Sequence, residues 1–117
     1  MAYKVISIGD KEVPMLATAS TPEYCKRIFH VDPIRVQSAK EREAADYIDL
    51  YRRLAFIMAK QAETKCNRKE LSALNEDSYL DWLDQFSYDD FSEAMEDIIS
   101  VYEGQTVSTS EEKKEEG

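Results

Sequence analysis

The chain contains few of the residues from which enzymes and metal sites are built. Its 117 residues include one histidine, His30, and two cysteines, Cys25 and Cys66, which form no Cys-x-x-Cys pair. A zinc site needs about four such ligands, so the sequence predicts none. There is also no glycine-rich phosphate loop and no motif that sets a nucleophile beside a base. We therefore expect a protein that is not an enzyme and carries no cofactor.

Long apolar runs and clusters of basic side chains are also missing. The apolar stretches are far shorter than the roughly 20 residues that cross a bilayer, and no export signal is visible at the N-terminus. Fifteen basic residues face 24 acidic ones, which gives a net charge of -9. Because nucleic acids and anionic membranes attract clustered lysine and arginine, we expect neither as a partner. Two unpaired thiols, Cys25 in the core and Cys66 at the surface, indicate a reducing cytoplasm.

Glycine and proline are scarce, with three residues of each, and this leaves long stretches free to be helical. The 43% of hydrophobic residues are enough for one core in a chain of this length. The sequence predicts an α+β fold that is mainly α-helical, with four to five helices after an N-terminal β-hairpin. We expect a single domain over residues 1–104. Residues 105–117, rich in Glu and Lys, are predicted to be a disordered tail.

The N-terminal segment has the pattern of a hairpin. Its strands run from Tyr3 to Ile8 and from Lys11 to Leu16, and Gly9 permits the positive φ of a type II′ turn. Pro14 has no amide proton, so its position should face away from the partner strand. The edge of this hairpin is a candidate for self-association.

Apolar stripes at helical spacing and polar caps mark the helices that follow. Ser20 or Thr21 can cap the first helix, with a capping box from Ser20 to Glu23, and Asp32-Pro33 should end or bend this helix. Asn67, Asn75 and Ser87 are the expected caps of later helices. The first predicted helix starts near Thr21, and the next runs from Ser38 to Thr64. A short helical turn follows Asn67. The last two helices run from Asn75 to Phe86 and from Ser87 to a stop at Gly104.

Aromatic residues are numerous for a short helical chain, with seven tyrosines, four phenylalanines and one tryptophan. Tyrosine and tryptophan are common in binding hot spots, and they also fill cores. We expect Trp82, Phe86 and Phe91 in the core by default. Surface positions are favoured for Tyr79, Tyr88 and Tyr102.

Four short blocks stand in a recognisable order along the chain: Gly9–Val13, Ala17–Pro22, Leu54–Ala62 and Asp81–Phe86. This ordered set resembles the tail assembly chaperones of siphophages and prophages from Gram-positive bacteria. The chain departs from their pattern at His30, where such proteins often carry glycine. The stretch between Thr64 and Asp77 is also longer than usual.

The resemblance implies a chaperone that acts in the infected bacterial cytoplasm and is absent from the finished virion. Such proteins are thought to coat the tape measure protein, a long and largely helical chain, and to recruit tail tube subunits around it. Self-association into a spiral coat is compatible with this role. The resemblance also suggests a longer product made by ribosomal frameshifting, with A-rich codons at Glu112-Lys113-Lys114 as the slippage site.

The candidate partner contacts are Tyr47, Tyr51, Trp82 and Phe86, and the alternative for each of them is a place in the core. A second function class is an acidic prophage inhibitor that mimics DNA, or a generic adaptor. Its supporting feature is the net charge of -9. Lysine and arginine interleave with the acidic residues from Lys40 to Arg53, which argues against a mimic of regularly spaced phosphates.

Overall fold

The computed structural model describes the backbone of residues 2–38 and 44–116 and the side chains of residues 2–36 and 45–104. Within these ranges the fold has two strands and six helices, so the predicted α+β, mainly helical class is confirmed. The elements are β1 (Ala2–Ile8), β2 (Lys11–Ala17), α1 (Thr21–Phe29), α2 (Pro33–Ser38), α3 (Ala44–Thr64), α4 (Arg68–Ser72), α5 (Glu76–Leu83) and α6 (Tyr88–Glu116).

The predicted hairpin is confirmed, and its turn depends on Gly9, which has a φ of 65°. Ile8 pairs with Lys11 across the two-residue turn, and this register makes Val5 and Pro14 a non-hydrogen-bonded pair. The amide position of residue 14 therefore faces away from β1, as the sequence predicts, and the proline interrupts no hydrogen bond between the two strands. The turn also packs on α6, since a Cβ at Gly9 would collide with the carboxylate of Asp90.

One face of the hairpin covers two helices, with β2 against α3 and β1 against α6. The buried side chains of this face are Ile6, Ile8, Met15 and Ala17. Helix α3 is the centre of the fold and also contacts α1, α2, α4 and α5. Six consecutive residues, Leu54 to Ala59, are buried because neighbouring elements surround the helix. Each large side chain buried there stabilises the fold by about 1.5–3 kcal/mol.

The predicted caps differ in outcome. Asn67 accepts a hydrogen bond from the Glu70 amide, Asn75 accepts one from the Ser78 amide, and Ser87 accepts one from the Asp90 amide, as expected. The capping box at Ser20 is wrong. Its backbone is helical (φ -86°, ψ -9°) rather than extended, and its hydroxyl lies beside Thr18 instead of capping α1.

Helix α2 was not predicted, because Asp32-Pro33 was expected to end or bend α1. Here Oδ1 of Asp32 accepts a 3.0 Å hydrogen bond from the Ile34 amide, and Pro33 occupies the first helical position. The pair therefore starts a helix, which is the other common use of proline near an acidic cap. Ser38 ends α2, and α3 begins at Ala44. The predicted helical residues 39–43 lie outside the described residues.

Two helix ends also differ from prediction. Helix α5 ends at Leu83, before Phe86. The stop at Gly104 is wrong, because α6 continues to Glu116 and Gly104 does not have the positive φ of a terminating glycine. Glycine inside a helix costs about 1 kcal/mol, which disfavours the helix without ending it. The side chains of residues 105–117 lie outside the described part, and the disordered tail stays a prediction.

Candidate partner-binding surface

The four aromatic residues predicted to contact a partner form two separate pairs. Tyr47 and Tyr51 lie on α3 with ring centroids 5.1 Å apart. Trp82 lies on the last turn of α5 and Phe86 follows this helix, and their ring centroids are also 5.1 Å apart. Tyr51 is 0% exposed and Trp82 is 5% exposed, whereas Tyr47 and Phe86 are half-buried. Of the four side chains, those of Tyr47 and Phe86 are therefore partly exposed to solvent, and those of Tyr51 and Trp82 lie in the core.

The tyrosines expected at the surface also divide. Tyr88 is 71% exposed, as expected. Tyr102 was placed at the surface wrongly, because α6 turns its ring into the core, 5.9 Å from the ring of Tyr51. Tyr79 is half-buried, and its ring contacts Phe29 at 4.9 Å.

Tyr51 ties α3 to α6 and has a structural role. Its hydroxyl donates a 3.0 Å hydrogen bond to Oε2 of Glu103. Burial, followed by the neighbouring Glu103 carboxylate, raises the pKa of Tyr51 far above its usual value, so the phenol keeps its proton. Burial likewise raises the pKa of Tyr102 to about 12. The hydrogen bond from Tyr51 to Glu103 and the contact between the rings of Tyr51 and Tyr102 join α3 to α6.

The cysteines lie where they were expected, Cys25 buried and Cys66 exposed. Burial raises the pKa of the Cys25 thiol to about 12, which leaves it protonated and unreactive. Among the described residues, no three His, Cys, Asp or Glu side chains come together as a metal site.

A first open groove, here called the strand groove, lies between β2, the C-terminal half of α3 and the end of α5. Its volume is about 550 Å³. Apolar side chains of all three elements line it together with charged and amide side chains. The lining residues are Tyr3, Lys11, Glu12, Val13, Pro14, Ala59, Ala62, Glu63, Trp82, Gln85 and Phe86.

A second and smaller groove of about 190 Å³, here called the helix groove, lies between α3, the end of α5 and the start of α6. Ile48 on its α3 side is 40% exposed. Phe86 lines both grooves, so the two are adjacent surfaces that share one aromatic side chain. The lining residues are Ile48, Arg52, Leu83, Phe86, Tyr88, Phe91, Ser92 and Met95.

The negative charge of the chain is concentrated in one segment, which also supplies residues to both grooves. Residues 76–103, here called the acidic segment, contain ten Asp or Glu residues and no Lys, Arg or His. The rest of the chain has 15 basic residues against 14 acidic ones, so the net charge of -9 comes from the acidic segment. A third groove, between α1 and α4, is instead lined by Lys26, Arg27 and Arg68 beside Glu23. This segregation was not predicted, because the net charge of -9 was taken over the whole chain.

A buried polar network joins the start of α1 to the end of α3. Thr21 Oγ1 donates to Gln61 Oε1 at 2.6 Å, and Gln61 Nε2 donates to Thr18 Oγ1 at 3.0 Å. Thr21 and Gln61 are both 0% exposed. Sequence reasoning missed this pair, although Gln61 follows Leu54, Ile57 and Met58 at helical spacing, and a glutamine on an apolar helix face is a signal for a buried polar contact.

The outer edges of the hairpin differ in their capacity to pair with another strand. The ladder register leaves the amides of Tyr3, Val5 and Ser7 on the outer edge of β1. On β2, Pro14 removes the central donor of the outer edge. Self-association by strand pairing, if it takes place, is therefore favoured at β1, where Tyr3 and Val5 are also exposed.

None of the described helices combines the length and the apolar character needed to cross a bilayer. Comparison of the chain with protein-family models, with curated proteins and with solved structures gave no match.

Proposed function

We propose that the chain is a tail assembly chaperone of a siphophage or prophage, a non-catalytic protein of the bacterial cytoplasm that binds the tape measure protein and recruits tail tube subunits. The observation that carries this proposal is the position of the sequence blocks. Lys11–Val13 of the first block, Ala59 and Ala62 of the third, and Trp82–Phe86 of the fourth all supply residues to the strand groove.

The remaining block is joined to the same unit. Thr18 and Thr21 belong to the second block, and both are hydrogen-bonded to Gln61 of the third. Segments that are distant in sequence therefore form one surface and its support. A set of blocks that resembles a binding family and converges on one open groove supports a binding role for that groove.

The departure at His30 also has a structural counterpart. This residue ends α1 with φ 59° and ψ 32°, the left-handed conformation that glycine adopts most readily. The family pattern often has glycine here, so the backbone conformation fits that pattern even though the side chain differs. This agreement supports the resemblance at a position that does not belong to the four blocks.

The acidic segment favours the second candidate, a prophage inhibitor that mimics DNA. A DNA mimic needs a rigid polar face with carboxylates spaced like phosphates. Here the acidic segment also supplies Leu83, Phe86, Tyr88 and Met95 to the helix groove. Apolar side chains among the carboxylates fit an amphipathic protein partner better than they fit a DNA-binding enzyme, so we rank the chaperone first.

Co-expression with the tape measure protein from the same gene neighbourhood tests the proposal. We expect that protein to become soluble and to co-purify with the chain. Tyr3→Ser, at a 62% exposed position of the strand groove, should weaken the complex about tenfold without unfolding the chain.

The matched control is Ile34→Ser, which changes a 63% exposed residue on α2 that lines neither groove. It should leave the complex unchanged. An insoluble tape measure protein with no complex would contradict the chaperone. Capture of a host DNA-binding enzyme in its place, lost when DNA is added as a competitor, would favour the mimic.

A further inference from the structure

Among the described residues that line the helix groove, Arg52 carries the one charge, and exposed carboxylates stand next to this lining on α6. Ser92 of α6 lines the groove. Asp89 lies three residues before Ser92 and Glu96 lies four residues after it, so both are its neighbours on the helix surface. On α3, Asp49 forms a 2.6 Å ion pair with Arg52. Because Arg52 is already paired, it does not neutralise Asp89 or Glu96. The α6 border of the groove is therefore negative.

The interior of the groove is apolar. Leu83, Phe86 and Met95 are half-buried within it, and Ile48 and Tyr88 stand more exposed at its sides. Exposed apolar side chains that cluster on a strongly charged chain mark a surface where a partner binds. An apolar groove between helices is the kind of surface that accepts the apolar stripe of another helix, with anchors at every third or fourth residue.

We infer that the helix groove binds an amphipathic helix whose apolar stripe is bordered by lysine and arginine. The apolar stripe covers Ile48, Phe86 and Met95, and the basic side chains face Asp89 and Glu96. The inference rests on the proposed function for the identity of the polypeptide, a segment of the tape measure protein. The chemistry of the bound helix follows from the groove alone.

The apolar floor separates this partner from a purely electrostatic one. A polyamine or an unstructured basic segment would be attracted by the same carboxylates but would gain nothing from Ile48. An amphipathic helix with an acidic border would fit the floor but would be repelled by Asp89 and Glu96. Only a helix that is both amphipathic and basic uses both features.

Three synthetic peptides of about 18 residues, long enough for an amphipathic helix, test the inference. The first has a leucine stripe bordered by lysines, the second has the same stripe bordered by glutamates, and the third is a scrambled form of the first. Binding is measured by calorimetry and by the fluorescence of Trp82, the single tryptophan, whose ring lies 5.1 Å from that of Phe86.

We expect the basic amphipathic peptide to bind, and the other two to bind at least about tenfold more weakly. Ile48→Ser should weaken the first peptide about tenfold. The control Leu80→Ser, at a 54% exposed position of α5 outside both grooves, should not. Glu96→Gln should weaken binding and reduce its salt dependence, whereas Glu23→Gln on α1 should do neither.

Equal binding of the basic amphipathic and the scrambled peptides would overturn the inference, and so would an affinity that Ile48→Ser leaves unchanged. These outcomes are independent of the proposed function. If the tape measure protein is solubilised but Ile48→Ser has no effect in either assay, the chaperone stands and the basic helix in this groove does not. If the peptide binds as expected but the tape measure protein forms no complex, the groove assignment stands and the chaperone fails.

Discussion

The hydroxyl of Thr21 donates a 2.6 Å hydrogen bond to Oε1 of Gln61, and neither side chain is exposed to solvent. This bond joins the start of α1 to the last part of α3, which also lines the strand groove with Ala59 and Ala62. The network therefore fixes where the hairpin and the central helix lie relative to each other.

Replacing Gln61 with leucine should lower the free energy of unfolding by about 1–3 kcal/mol, because the hydroxyls of Thr18 and Thr21 would lose their buried partner. Urea denaturation followed by circular dichroism measures this change. Gln85→Leu is the matched control, because Gln85 is exposed and donates only to the carbonyl of Trp82 near its own turn. If the free energy of unfolding fell no further for Gln61→Leu than for Gln85→Leu, the network would contribute little to stability.

His30→Gly should raise the free energy of unfolding by about 0.5–1 kcal/mol, since residue 30 has a left-handed backbone that costs less for glycine. Thermal and urea denaturation of the two proteins provide the measurement. Arg27→Gly, within α1, should lower stability by about 1 kcal/mol and so serves as the opposite control. If His30→Gly lowered the free energy of unfolding, the imidazole would make a contact whose stabilisation exceeds the cost of the left-handed backbone.

Stability should decline as the pH rises above about 10, the ordinary pKa of tyrosine. Burial raises the folded-state pKa of Tyr102 to about 12, so the folded chain holds this proton more tightly than the unfolded chain. The resulting stabilisation is complete below the unfolded pKa and is lost as the pH climbs through the folded one. Tyr102→Phe should reduce the slope between pH 10 and 12, and Tyr88→Phe, at an exposed position, should not. Equal slopes for the two variants would contradict the burial of Tyr102.

Salt should stabilise the free protein, because the acidic segment places like charges within one or two helical turns. Glu93 stands three residues from Asp90 and Glu96 and four from Asp89 and Asp97, and such pairs each cost about 0.2–0.5 kcal/mol in a helix. Glu93→Gln should therefore raise the melting temperature at low salt and remove part of the salt effect. Glu23→Gln, which breaks a pair with Lys26, should not raise it. A melting temperature that salt lowers would contradict the repulsion.

Local features of the fold could be predicted because a few residues determine them. Gly9 set the turn and Pro14 the outer edge of β2, and Asn67, Asn75 and Ser87 marked three helix starts. The failures were at residues with two local uses. Ser20 can cap a helix or bond to neighbouring hydroxyls, Asp32-Pro33 can end a helix or start one, and Gly104 can stop a helix or continue it. In each case tertiary contacts or neighbouring residues determine which of the two structures forms, and the spacing of apolar residues along the sequence does not predict those contacts.

The candidate surface was less accessible to sequence reasoning than the fold. Tyr47 and Phe86 are half-buried and Tyr51 and Trp82 are buried, and this difference arises only when α3, α5 and α6 pack together. The strand groove needs residues 11–14, 59–63 and 82–86 side by side, which no local pattern predicts. The acidic segment, in contrast, could have been found by counting charges along the chain instead of over the whole of it.

The most direct test of a tail assembly chaperone is to delete its gene from the phage or prophage that encodes it and to examine the lysate by electron microscopy. The proposal predicts filled heads without tails, restoration of tails by the intact chain supplied from a plasmid, and absence of the chain from purified virions. Normal numbers of full-length tails in the deletion lysate would contradict it.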